Sequence, residues 1–123
     1  EEHSDPLTEI DAVLSTADIL ALQELVQGIG VVRPLKEYIV RLLTATRNHP
    51  DILLGVSPRG GVAMQRAAQA MALLHHRDFV TPDDIKTVAG GVLTHRLITH
   101  ERSTELAGNT IEAILKSVPV PVE

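Results

Sequence analysis

Two aromatic side chains, Tyr38 and Phe79, are all that this 123-residue chain offers. Leucine, isoleucine, valine, alanine and methionine must therefore fill the interior, and such a set suits closely packed helices better than a sheet. The expected fold is all-α, a small bundle of about five helices. The length allows one modest core, in a single domain or in a piece of a larger protein.

Start and stop signals mark the helices. Residues 1–14 are acidic and irregular, with Pro6 and with Leu7, Ile10, Val13 and Leu14 as apolar points able to lie along a neighbouring surface. This segment reads as an interdomain linker, leaving 15–123 as the helical domain. Ser15 and Asp18 resemble a capping box, and Ile19, Leu22, Leu25, Val26 and Ile29 carry the first helix until Gly28 and Gly30 end it. Val31-Val32 is an extended link. Pro34 opens the second helix, whose apolar face is Leu35, Ile39, Leu42, Leu43 and Thr46, with Arg41 and Arg47 turned away and Asn48-His49-Pro50 as the stop. The third helix starts at Ser57-Pro58 and runs to about His76, with Ala63, Ala67, Ala70, Met71 and Leu74 predicted to face inward. Phe79 is expected to plug the next turn. Thr81-Pro82-Asp83-Asp84 caps the fourth helix, followed by Ile85, Val88, Ala89, Val92 and Leu93. The last helix is expected to begin near Asn109-Thr110, with Ile111, Ile114, Leu115 and Val118 apolar before Pro119 and Pro121 stop it.

Composition excludes several classes. A net charge of −5 argues against a general nucleic-acid binder, which needs a basic surface to neutralise phosphates. No apolar run reaches the roughly 18–20 residues that span a bilayer, and the acidic N-terminus lacks the basic and apolar regions of a signal peptide. Cysteine is absent, which removes disulfides and thiolate sites. A cytoplasmic protein without membrane or nucleic-acid partners is the expectation.

The run Gly55-Val56-Ser57-Pro58-Arg59 contains a conflict. Ser57 is a favoured N-cap and Pro58 suits the first turn, yet Arg59 sets a cation against the positive end of the helix, at about 0.3–1 kcal/mol. An anion held between the first-turn N–H groups and the guanidinium would resolve it, since the planar fork matches phosphate oxygens. A solvated arginine is the alternative.

From Asp5 onward the chain resembles the C-terminal helical lid of MoxR-family AAA+ ATPases. The segments that carry the likeness include Tyr38-Ile39-Val40-Arg41-Leu42, Ala45-Thr46-Arg47, His49-Pro50, Gly55-Val56-Ser57-Pro58-Arg59, Val80-Thr81-Pro82-Asp83-Asp84 and His95-Arg96-Leu97, in family order. The resemblance implies that Arg59 is the sensor 2 residue, which reaches from the lid to the nucleotide phosphates and acts catalytically. Pro58 and Val62 would touch the adenine or ribose side of ATP, with Mg2+ held by an αβα core domain absent from this chain. It further implies homo-oligomeric rings, chaperone-like remodelling, and a von Willebrand factor A domain protein as a possible partner. Gly60 and Gly61 depart from the family's usual alanine or serine, and Gly90-Gly91 from its frequent prolines; each glycine costs a helix about 0.5–1 kcal/mol against alanine, so both regions should be looser.

Other constellations point elsewhere or nowhere. Gly55 to Gly60 has the spacing of a phosphate loop, but Gly61-Val62 follow where Lys and Ser/Thr are needed. With no acidic strand end for magnesium either, the chain alone should be inactive as an ATPase. His75-His76 lie on different helix faces and His95 and His100 have no fixed relation, so no metal site is expected. Glu1-Glu2 and the run from Arg96 to Arg102 read as solvated surface. Met64 and Met71 read as core filler, with Met64 alternatively beside a bound base. The competing function is a stand-alone helical interaction module whose groove takes a partner helix.

Overall fold

Local capping chemistry places most of the helix starts in the computed structural model, which describes residues 5–122. The elements are α1 (Thr16–Gln27), α2 (Arg33–Arg47), β1 (Ile52–Leu54), α3 (Pro58–Leu74), α4 (Pro82–Leu93), β2 (Ile98–Thr99) and α5 (Thr104–Ser117). Short 3-10 turns cover Pro6–Glu9 and Thr94–Arg96. The all-α expectation holds, with one small addition: β1 and β2 pair antiparallel, Ile52 opposite Thr99 and Leu54 opposite Ile98. The expected capping box forms at α1, and the expected cap at α4 is a capping box as well. Ser15 and Asp18 exchange bonds of 2.9 and 3.1 Å at α1, and Thr81 and Asp84 bonds of 2.8 and 3.4 Å at α4.

The core forms where α3 packs against α2, α4 and α1, with α5 closing on α2 and α4. Tyr38, Leu42, Met64, Ile85, Leu93 and Ile111 are its largest fully enclosed side chains. Along α2 the predicted face of Leu35, Ile39, Leu42, Leu43 and Thr46 is buried as expected, joined by Tyr38.

α3 corrects the sequence reading. Its buried positions are Gly60, Met64, Ala68, Gln69 and Ala72, whereas Leu74 is exposed and Ala63, Ala67, Ala70 and Met71 are half-buried. Small apolar residues surround this helix, so periodicity alone does not choose its inner face; packing against α2 and α4 does. Gln69 enters the core because its Nε2 donates to the Ile29 carbonyl at 2.8 Å and its Oε1 accepts from Arg66 Nη1 at 3.3 Å, which offsets the burial of an amide.

Four further expectations change. α1 buries none of its side chains, and Ile19, Leu20, Leu22 and Leu25 face outward. α5 starts at Thr104, because the Ser103 hydroxyl accepts from Leu106 N–H at 3.1 Å and caps the helix ahead of Gly108 and Asn109. Phe79 does not plug its turn. It is 51% exposed, with the Arg77 guanidinium 5.9 Å from its ring centre, while Gly30 on the opposite segment bonds Asp78 and Val80 through its backbone. Between Arg96 and Arg102, Leu97 and the β2 residue Thr99 are buried, so only part of that run is surface. Of the N-terminal segment, residues 5–14 are exposed; Glu1-Glu2 and the rest of 1–4 lie outside the described residues.

Candidate functional site

α3 begins on a braced corner. Successive residues at the end of α2 grip Val56 on both sides of its backbone: Thr46 Oγ1 accepts from Val56 N–H at 3.0 Å, and Arg47 Nε donates to Val56 C=O at 3.1 Å. Thr46 in turn donates to the Leu43 carbonyl at 2.6 Å, which satisfies a hydroxyl that is fully buried. The Val56 side chain is enclosed against Gly60.

The glycines at this corner are spacers. A Cβ on Gly55 would fall 2.7 Å from Arg47 Cγ, one on Gly61 2.7 Å from Leu43 Cδ1, and one on Gly60 would collide with Val56 Cγ1. Gly60 and Gly61 thus allow close packing at the start of α3, which offsets the helix penalty that the expected loosening rested on. At Gly90 and Gly91 a Cβ would meet nothing within 4 Å, so the expected helix penalty stands there without a packing gain.

Arg59 sits at the second position of α3 and is exposed. Among the described residues the ion pairs are Arg33–Glu37 and Arg77–Asp84, and neither involves it. Ser57 occupies the N-cap with extended backbone, but its hydroxyl makes no bond to the first turn, and that turn contains no acidic residue. The positive end of α3 is therefore left to solvent and to Arg59 itself.

Pro58 and Val62, one turn apart, line a cleft of about 320 Å3 between α2 and α3. Arg59 lies beside this cleft and does not line it. Sequence reasoning missed Lys36, Arg47 and Gln65, which share the cleft. Arg47 is exposed but follows Leu43 by one helical turn and lines the cleft with Ile39 and Leu43, so it borders the apolar stripe of α2 instead of turning away from it as expected; its place in Ala45-Thr46-Arg47 was the only signal of a structural partner. Arg96 also approaches, its Cδ 3.5 Å from where a Gly60 Cβ would stand. Met64 is fully buried and belongs to the core.

Elsewhere, Arg77 and Asp84 form a bidentate ion pair joining the end of α3 to the start of α4. The Arg77 guanidinium holds the Asp84 carboxyl below the usual aspartate range, despite burial pushing the other way, with Thr81 adding hydrogen bonds. Burial raises the Tyr38 phenol, opposed in part by Arg41. Among the described residues no three His, Asp or Glu side chains form a metal-binding group, and no helix is long and apolar enough to cross a membrane.

Comparison with known proteins agrees with this architecture. The AAA lid domain family matches at residues 44–118. The chain is 43% identical to the Bacillus subtilis protein YeaC, itself uncharacterised, over its whole length, and 34% identical to the chaperone MoxR1 of Mycobacterium tuberculosis over 89% of its length. It spans only 39% and 32% of those two relatives. A solved structure from Cytophaga hutchinsonii, provisionally assigned as an ATPase, superposes with a TM-score of 0.76 at 33% identity, covering 86% of this chain and 36% of the other. With helices, core and family match in agreement, the chain belongs to the AAA lid domain family and is a MoxR-type helical lid.

Proposed function

We propose that this domain closes over ATP bound by a core domain of the same protein, with Arg59 as the sensor 2 arginine and with Pro58 and Val62 against the adenine or ribose. The observation that carries the reading is the open positive end of α3, where an exposed arginine with no ion-pair partner among the described residues stands on a braced corner beside a largely apolar cleft. A triphosphate supplies the negative charge which that end lacks. Mg2+ and the attacking water would belong to the core, since this sequence has no phosphate loop and no metal-binding group forms among the described residues. Lid closure would then couple hydrolysis to chaperone-like remodelling in a homo-oligomeric, cytoplasmic assembly, with a von Willebrand factor A domain protein as one candidate partner.

The test is ATP turnover by the full-length protein carrying wild-type, Arg59→Ala or Arg59→Lys lids. Removing a charged donor aimed at developing charge should cost about 10²–10³ in kcat. Lysine should restore only part, because an ammonium keeps the charge and loses the fork. Unchanged turnover in the alanine variant would refute the sensor role. It would favour the second reading, a helical interaction module, for which the outward Leu20 and Leu25 of α1 are the supporting observation.

A further inference from the structure

We propose that Arg47 is a positioning residue for Arg59: its bond to the Val56 carbonyl fixes the angle at which α3 presents the sensor arginine. The inference rests on the sensor reading above. Val56 stands three residues before Arg59, and its backbone N–H and C=O are both taken by the end of α2, at 3.0 Å to Thr46 and 3.1 Å from Arg47. Gly55 lets the strand-to-helix segment cross the α2 backbone closely, since a Cβ there would stand 2.8 Å from Arg47 Cα. Gly60 then seats the first turn of α3 on the Val56 side chain. The path from Arg47 to Arg59 is therefore one short run of backbone, held at Val56 and seated at Gly60. The two bonds differ in kind. Thr46 is buried and satisfies a buried amide, which is an ordinary folding requirement. Arg47 instead reaches in from the exposed rim to a carbonyl of the fully enclosed Val56, so this bond contributes to stability and also restricts direction. A catalytic group displaced by about 1 Å can lose up to about 10²-fold in rate, so a restraint that is modest for folding can be strong for turnover.

The experiment is a double-mutant cycle on the full-length protein, reading kcat, KM and thermal midpoint for Arg47→Met, Arg59→Ala and the pair together. Methionine keeps the stem that packs on Gly55 and removes the Nε–H donor. Positioning predicts a kcat about tenfold lower in Arg47→Met with KM nearly unchanged, at temperatures well below that variant's thermal midpoint, which should itself fall modestly. It also predicts that the double variant is no slower than Arg59→Ala alone, because a misplaced arginine cannot matter once the arginine is gone. Arg47→Lys, with a carbon where Nε was, should lose turnover as methionine does, and it serves in the cycle if the methionine variant melts early. Multiplying losses in the double variant, or wild-type kcat in Arg47→Lys, would overturn the inference. If Arg59→Ala is slow and Arg47→Met is not, Arg47 alone loses its role; if Arg59→Ala turns over normally, the sensor reading falls and this inference with it.

Discussion

Arg77 donates from both terminal guanidinium nitrogens to the two carboxylate oxygens of Asp84, each at 2.7 Å, while Asp84 also closes the capping box of α4 by accepting from Thr81 N–H at 2.8 Å. One carboxylate thus joins two helices and starts one of them. Asp84 is 4% exposed and Arg77 27%, so the arginine can rehydrate when its partner is lost. Asp84→Asn should therefore cost about 2–3 kcal/mol, more than the ~1 kcal/mol of a cap and less than the 3–5 kcal/mol of a fully buried broken pair. Arg77→Met should cost at least as much, because it strands the buried carboxylate. Chemical denaturation of the isolated chain measures both.

The same pair sets the acid limit. Asp84 is held below its ordinary value by Arg77, so the unfolded chain takes up the proton at a higher pH than the folded one. Its contribution is complete above the unfolded value of about 3.9 and is lost as pH falls through the lower folded value. Stability plotted against pH should fall less steeply below about pH 4 in Asp84→Asn than in the wild type.

Tyr38 is fully enclosed, and among the described residues its hydroxyl has no hydrogen-bond partner. Tyr38→Phe should hold or raise stability by up to about 1 kcal/mol, since it removes a buried polar atom and keeps the ring. Burial raises the folded phenol, so the unfolded chain loses its proton first and wild-type stability should decline as pH rises above about 10. Melting curves from neutral to alkaline pH should show that decline in the wild type and lack this contribution in the phenylalanine variant.

Glycines that look alike in sequence should respond in opposite directions. Gly90→Ala and Gly91→Ala each place a methyl in open space and should stabilise by about 0.5–1 kcal/mol. Gly60→Ala drives its methyl into Val56, a stiff and fully buried side chain, and should destabilise by about 1–3 kcal/mol. Gly61→Ala should cost less, because the atom it meets is the movable end of Leu43. Thermal melts of the four single variants would reveal the split.

Arg59→Ala in the isolated chain should leave the melting temperature unchanged or slightly higher. It removes a cation from the positive end of α3, which relieves about 0.3–1 kcal/mol, and breaks no ion pair among the described residues. A large loss of melting temperature would show that the residue has a structural role.

What the sequence by itself determined is the part of the fold that local chemistry decides. Ser15 with Asp18 and Thr81 with Asp84 lie three residues apart, so the bonds that start α1 and α4 need no other segment. The inner face of α2 was legible for a related reason: its apolar residues contrast with Lys36, Arg41 and Arg47, and only one stripe can be buried. α3 offers no such contrast, and its inner face of Met64, Ala68 and Ala72 was chosen by the helices it meets. Arg59 stood out from the start of that helix, and Pro58 and Val62 were named through the family resemblance, but the cleft they border is completed by Lys36 and Arg47 from α2. The grip of Thr46 and Arg47 on Val56 and the Arg77–Asp84 pair depend on chain crossings. So does the need for glycine at position 60 and not at 90. Periodicity and capping carry no information about such crossings, because the distance that matters there is measured through space.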